Sequence, residues 1–166
     1  MKERQTQQKV KIELIIGGAI ANQELENGLH RVTIQLLLDC HKDSPSKASL
    51  IRCIKEQFDI DGITVLLQNQ RTADMPGIDY PSISQRVAHL GSACDDRLAS
   101  NVIRSLFGDA DPSIHSCAFI PLTLNDQLAG VIVLGSIDPE RFKPSFEVMF
   151  LDRIGAIASA YLQPCL

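Results

Sequence analysis

The chain has 166 residues, 45% of them apolar and 22% charged, with a formal net charge of -4. That length and composition predict one globular domain with a substantial core. An acidic balance with no basic stripe argues against nucleic acid as the main partner, and no apolar run approaches the roughly 18 residues that cross a bilayer. The N-terminus, MKERQTQQKVKIE, lacks the apolar core of a secretory signal, so a cytoplasmic location without a membrane partner is expected. Five cysteines, at 40, 53, 94, 117 and 165, are odd in number and form no C-x-x-C pair. Free thiols serving as small apolar core residues are the expectation.

Residues 4–42 contain no proline and read as one long helix. Leu25, Leu29, Val32 and Leu36 recur at coiled-coil spacing and predict the seam of a symmetric dimer, the alternative being that they pack within one subunit. Gly17-Gly18 marks a kink, a break or a close approach within that helix. KDSPS ends it, and Ser46 reads as the N-cap of a second helix over 47–58. The expected organisation is therefore an N-terminal helical, dimerising segment over 1–43 and a body over 44–166. Asp61-Gly62 is a turn, and residues 63–68 are a β-branched strand. Residues 69–84 are a loop with Pro76, Gly77 and Pro81, and QRVAHL (85–90) is a short strand. A helix is expected to open between Ser92 and Asp96 and to run to Phe107, capped by Gly108.

SCAFIPL and LAGVIVLG then form a hairpin around Asn125-Asp126. An apolar helix over 145–162 closes the chain, with Pro144 just before it. The order predicts an α+β fold in which the terminal helices share one face of an antiparallel sheet. A two-residue turn fixes which hairpin side chains share a face. His115, Cys117, Phe119 and Pro121 are then expected beside Gly130, Ile132, Leu134 and Ser136. That face is mostly apolar with a few polar atoms at one end, the make-up of a small-molecule site. The candidate ligand-binding residues are His115, Phe119, Ile132, Leu134 and Ser136, with Arg141 at the rim. The competing reading is plain core under the helix that ends at Phe107.

Beyond the hairpin, Gly135-Ser136 ends the second strand and Asp138-Pro139-Glu140-Arg141-Phe142-Lys143-Pro144 follows. Asp138 is expected to cap a short turn with Pro139 at its first position. Phe142 is expected to enter the core, and Arg141 to pair with Asp138 or hold backbone carbonyls, or else to offer a fork to an anion. Ser116, Ala118, Pro121 and Leu122, then Gly130, Gly135 and Ser136, then Asp138, Arg141, Phe142 and Pro144 form a pattern. It resembles the bacterial family known as domain of unknown function 484, with a GAF-like C-terminal half. The likeness is fairly specific over 105–162, including SLFG at 105–108, and weaker over 22–68. Ser145 stands where that family has Gly, and the N-terminal helical region is shorter than is usual there.

The resemblance implies a GAF-like sensory module. Such domains commonly bind a small molecule on one sheet face and dimerise through terminal helices. A non-enzymatic regulatory or signalling homodimer with an unidentified ligand is therefore expected. The sequence names no cofactor. The alternatives are an interaction scaffold without a specific ligand or, least favoured, a thiol enzyme like the GAF proteins that reduce free methionine sulfoxide. Against the last, Asp95 and Asp96 follow Cys94 and would raise its thiol pKa. His89, Cys94, His115 and Cys117 lack compact zinc spacing, so neither a metal site nor a catalytic residue is assigned.

Overall fold

Helix α1 spans Lys2–Lys42 without interruption at Gly17-Gly18, a rod about 60 Å long. In the computed structural model of the chain, the described residues are 2–42, 44–68, 83, 93–95, 100–108, 113–143 and 148–165. Leu29, Val32 and Leu36 of α1 are 2–6% exposed, and Leu25 packs beside them. They sit in the chain's own core, so the expected dimer seam through these four residues is corrected. A 4-3-4 repeat marks a helix that packs on other helices. It does not say whether those helices belong to the same copy.

Helix α2 (Lys47–Phe58) begins where Ser46, in extended conformation, accepts a hydrogen bond on Oγ from Ser49 N at 3.2 Å. Leu50, Cys53, Ile54 and Phe58 point inward, and the helix stops at Asp59, which is left-handed with φ 49°. Strand β1 (Gly62–Leu67) follows. Ala93–Asp95, expected inside a helix, instead forms strand β2, pairing Cys94 with Ala118. Three residues carry too little local propensity to oppose the pairing a neighbouring strand offers. Helix α3 therefore begins later, spanning Ser100–Phe107, and Gly108 caps it with φ 82° and its N–H on the Arg104 carbonyl at 2.8 Å. The loop expected over 69–84, except Ile83, and the strand expected over 85–90 lie outside the described residues.

Strands β3 (Ser116–Leu124) and β4 (Gln127–Ser136) meet at Asn125-Asp126, both left-handed, the backbone of a type I′ hairpin turn. Helix α4 (Met149–Leu162) and a short turn of 3-10 helix (Gln163–Cys165) complete the fold. The sheet runs β1-β4-β3-β2 with every neighbour antiparallel. Helices α1, α2 and α4 cover one face, burying Val65, Ala118, Ile120, Ile132 and Leu134 against Leu36, Ile54, Leu151 and Ala158. Glu26 of α1 pairs with Arg153 of α4. Ser159 Oγ accepts from Thr123 N at 3.0 Å and donates to Gly155 O at 2.7 Å, so α4 is pinned to β3. The α+β arrangement, with terminal helices together on one face, is the one expected.

The other face is covered by α3. Leu66, Cys117, Phe119, Val131 and Val133 pack there with Leu106 and Ile114. The Phe107 ring lies over the cross-strand pair Gly62 and Gly135, where added Cβ atoms would come within 2.7 and 2.8 Å of it. The glycines leave room that the ring fills.

Candidate functional site

The hairpin carries one residue more on β4 than on β3. Leu124 pairs with Gln127 and Thr123 with Leu128, but Leu122 pairs with Gly130, so Ala129 is a bulge. Side chains alternate with period two, so one extra residue moves every later β4 side chain to the opposite face. Phe119 therefore faces Val133 across the strands, under α3. Ile132 and Leu134 lie opposite Ile120 and Ala118, under the terminal helices, at 0% and 1% exposure. The face expected to join Phe119 with Ile132 and Leu134 is thus split by the bulge. His115 is exposed, just before β3, and its backbone N–H reaches the Ser136 carbonyl at 2.8 Å.

Ser136 and Arg141 do come together, in a polar joint at the end of β4. Asp61 Oδ2 accepts from Ser136 Oγ and from Ile137 N, each at 2.9 Å. Ser136 Oγ in turn accepts from Asp138 N at 3.2 Å, and Ser116 Oγ donates to the Asp138 carbonyl at 2.7 Å. Asp138 Oδ1 caps the next turn by accepting from Glu140 N at 2.8 Å. Arg141 donates Nη1 to the Asp59 carbonyl at 2.8 Å and Nη2 to the Phe58 carbonyl. A cation there completes the last carbonyls of α2 and meets the negative end of its dipole. Phe142 follows into the core, 4% exposed.

The Ile137 N–H holds the Asp61 carboxyl below the usual carboxylate range, and the Ser136 hydroxyl and the Arg141 charge act in the same sense against burial. Arg141 thus holds backbone carbonyls, one of the two roles expected of it. This chemistry fastens α2, β1 and β4 to one another.

Among the described residues, two other surfaces are candidates for binding. The face under α3 is mostly apolar, and it carries the Cys117 thiol and the Thr64 hydroxyl. Thr64 Oγ1 donates to the Leu106 carbonyl at the end of α3. The second surface is an open groove of about 290 Å³ between α1 and α2, lined by Arg31, Ile34, Gln35, Cys53, Glu56 and Gln57. Burial pushes the Cys53 thiol up, with Asp39 adding to the effect, so it is held as a thiol rather than a nucleophilic thiolate. The sequence pointed at this groove only through Ile34, an apolar residue outside the 25-29-32-36 stripe. Locating the groove needs the rotation of α1 against α2, which no local pattern gives.

Among the described residues no cluster of His, Cys, Asp or Glu is arranged to hold a metal ion, and Cys40, Cys53 and Cys117 are not in disulfides. No described helix is long and apolar enough to cross a membrane. A comparison with curated proteins finds no match. The family described as "Protein of unknown function, DUF484" matches residues 1–165. With nearly the whole length matched, this chain belongs to the DUF484 family.

Proposed function

We propose that this chain is a non-enzymatic, GAF-like regulatory domain that binds a small, mainly apolar molecule on the sheet face under α3 and works as a homodimer through its terminal helices. One observation carries the ligand reading: among the described residues, the two faces of the sheet are packed by different numbers of helices. Among the described residues, α1, α2 and α4 pack on one face, and the eight-residue α3 packs on the other with Ile83 and Ile114 beside it. A site for an apolar ligand needs apolar walls and a cover that can move. Leu66, Phe119, Val131 and Val133 supply such walls. The interaction-scaffold reading is favoured by a different feature, the exposed Ile34, Leu37 and Leu38 of α1, at 47–59%.

Native mass spectrometry of freshly purified protein tests the ligand reading. A stoichiometric organic adduct that leaves on denaturation is expected. Methyl NMR with that ligand should shift Leu66, Val131 and Val133 and leave Ile132 and Leu134 in place. An adduct whose shifts fall on Ile132 and Leu134 would refute the assigned face. If there is no adduct, and no compound in a metabolite panel raises the melting temperature, the ligand reading is refuted.

A further inference from the structure

Helix α1 carries two stripes. Leu25, Leu29, Val32 and Leu36 face inward. On the opposite side Ile20, Glu24, Asn27, Arg31, Ile34 and Leu38 follow one another at intervals of 4, 3, 4, 3 and 4, and all six are exposed. At 100° per residue these positions stay within one narrow line along the helix. That is the line a straight helix offers to a second helix. Its ends are apolar: Ile20 is 54%, Ile34 48% and Leu38 47% exposed. Its middle is polar, and no ion pair joins Glu24 or Arg31 to another described residue.

We propose that this outer stripe is the seam of an antiparallel two-fold dimer, with a second copy of this chain along it and Asn27 at the dyad. The inference rests on the homodimer reading above and names its interface and orientation. A two-fold seam must be complementary to itself, and this sequence is so in one direction only. With Asn27 beside Asn27, an antiparallel partner sets Ile20 against Ile34 at two symmetric places. It also sets Glu24 of each copy next to Arg31 of the other. A parallel pair in register would set Glu24 against Glu24 and Arg31 against Arg31, and like charges oppose association. A polar Asn within a helical seam fixes register and direction. The domain bodies fit this arrangement, because each packs on the inner stripe and so lies outside the helix pair. The α1–α2 groove shares Arg31 and Ile34 with the stripe, leaving room beside the seam for the partner helix.

Light scattering on the full chain at tens of micromolar, with cysteine cross-linking, tests this. Asn27→Cys and Leu38→Cys are each made with Cys40→Ser, and the Cys40→Ser parent is the background control. A dimer is expected, with Asn27→Cys cross-linking under mild oxidation. Leu38→Cys should not cross-link, because in this register its two copies stand about 33 Å apart along the seam. Arg31→Glu and Glu24→Arg should each weaken the dimer about tenfold, and the double exchange should restore it. Cross-linking at Leu38→Cys would establish a parallel seam and overturn the proposal. A dimer that cross-links at neither position would overturn this seam and leave the homodimer reading standing. A monomer would overturn both.

Discussion

Deleting Ala129 should leave the protein folded with the same sheet faces. Ala129 is the unpaired residue between Leu128, opposite Thr123, and Gly130, opposite Leu122. Removing it converts the bulge to a regular ladder while Val131–Leu134 keep their partners on β3. The identifiable loss is the hydrogen bond from Gln68 N to the Ala129 carbonyl, 2.9 Å long, so a destabilisation of about 0.5–1.5 kcal/mol is expected. The opposite case has a very different size. If the register were not set at Ala129, the deletion would exchange the faces of Val131, Ile132, Val133 and Leu134, each 0–1% exposed. Both faces are packed, so the loss would come from misfit rather than exposure: at about 1–3 kcal/mol for each misplaced side chain it would be roughly 4–12 kcal/mol, comparable to the whole stability of a domain. The chain has no tryptophan, so urea unfolding followed by far-ultraviolet circular dichroism is the suitable assay. A deletion variant without a cooperative transition, or one more than about 4 kcal/mol less stable, would refute the placement of the bulge and the face assignment built on it.

Asp61→Asn should lower stability at pH 7 by about 1–2 kcal/mol, because two hydrogen bonds lose their charge assistance. The folded carboxyl lies below its ordinary value, so its contribution is present above the unfolded pKa and is lost as pH falls through the folded one. The difference between wild type and Asp61→Asn should therefore shrink in acid, and a pH-independent difference in urea titrations would contradict the assignment. Arg141→Ala should cost about 1.5–3 kcal/mol and raise hydrogen exchange at the end of α2. Arg141→Lys should recover only part of this, since a single ammonium replaces a fork on two carbonyls. Gly155→Ala should destabilise by about 1–3 kcal/mol despite the better helix propensity of alanine, because its Cβ would lie 2.8 Å from Ile120 Cγ2 and 2.9 Å from the Pro121 carbonyl. A raised melting temperature for that variant would show that α4 and β3 separate freely.

Local chemistry was legible wherever a residue's own backbone or nearest neighbours decide the outcome. Ser46 announces the start of α2, Asn125-Asp126 announces the hairpin, and the bounds of α1 and α2 follow. Strand β2 was not legible, because Ala93–Asp95 is extended through its pairing with Cys117–Phe119 rather than through propensity. The bulge escaped for a related reason. In Leu128-Ala129-Gly130 nothing local distinguishes an extra residue from a regular one, and the parity of every later position depends on it. A regular ladder would put Phe119 and Ile132 together, and the fold separates them. The stripe of Leu25 to Leu36 shows a further limit: spacing reports that a helix has a packing partner, and the identity of that partner is a tertiary fact.

The polar residues that carry the family resemblance are occupied within the fold. Ser116, Ser136, Asp138 and Arg141 each meet a group of the same chain, and Asp61, outside the motif, is the carboxylate around which Ser136 and Ile137 gather. A hydrogen-bonded serine, a capping aspartate and an arginine on helix carbonyls form a joint, and a joint of this kind leaves little for a ligand to displace without unfastening α2. Desolvated polar groups that lose their partners cost more than a new contact returns. The proposed recognition is therefore placed away from this joint: on the apolar sheet face under the short α3, and on the outer line of α1, where Glu24 and Arg31 stand exposed between apolar ends.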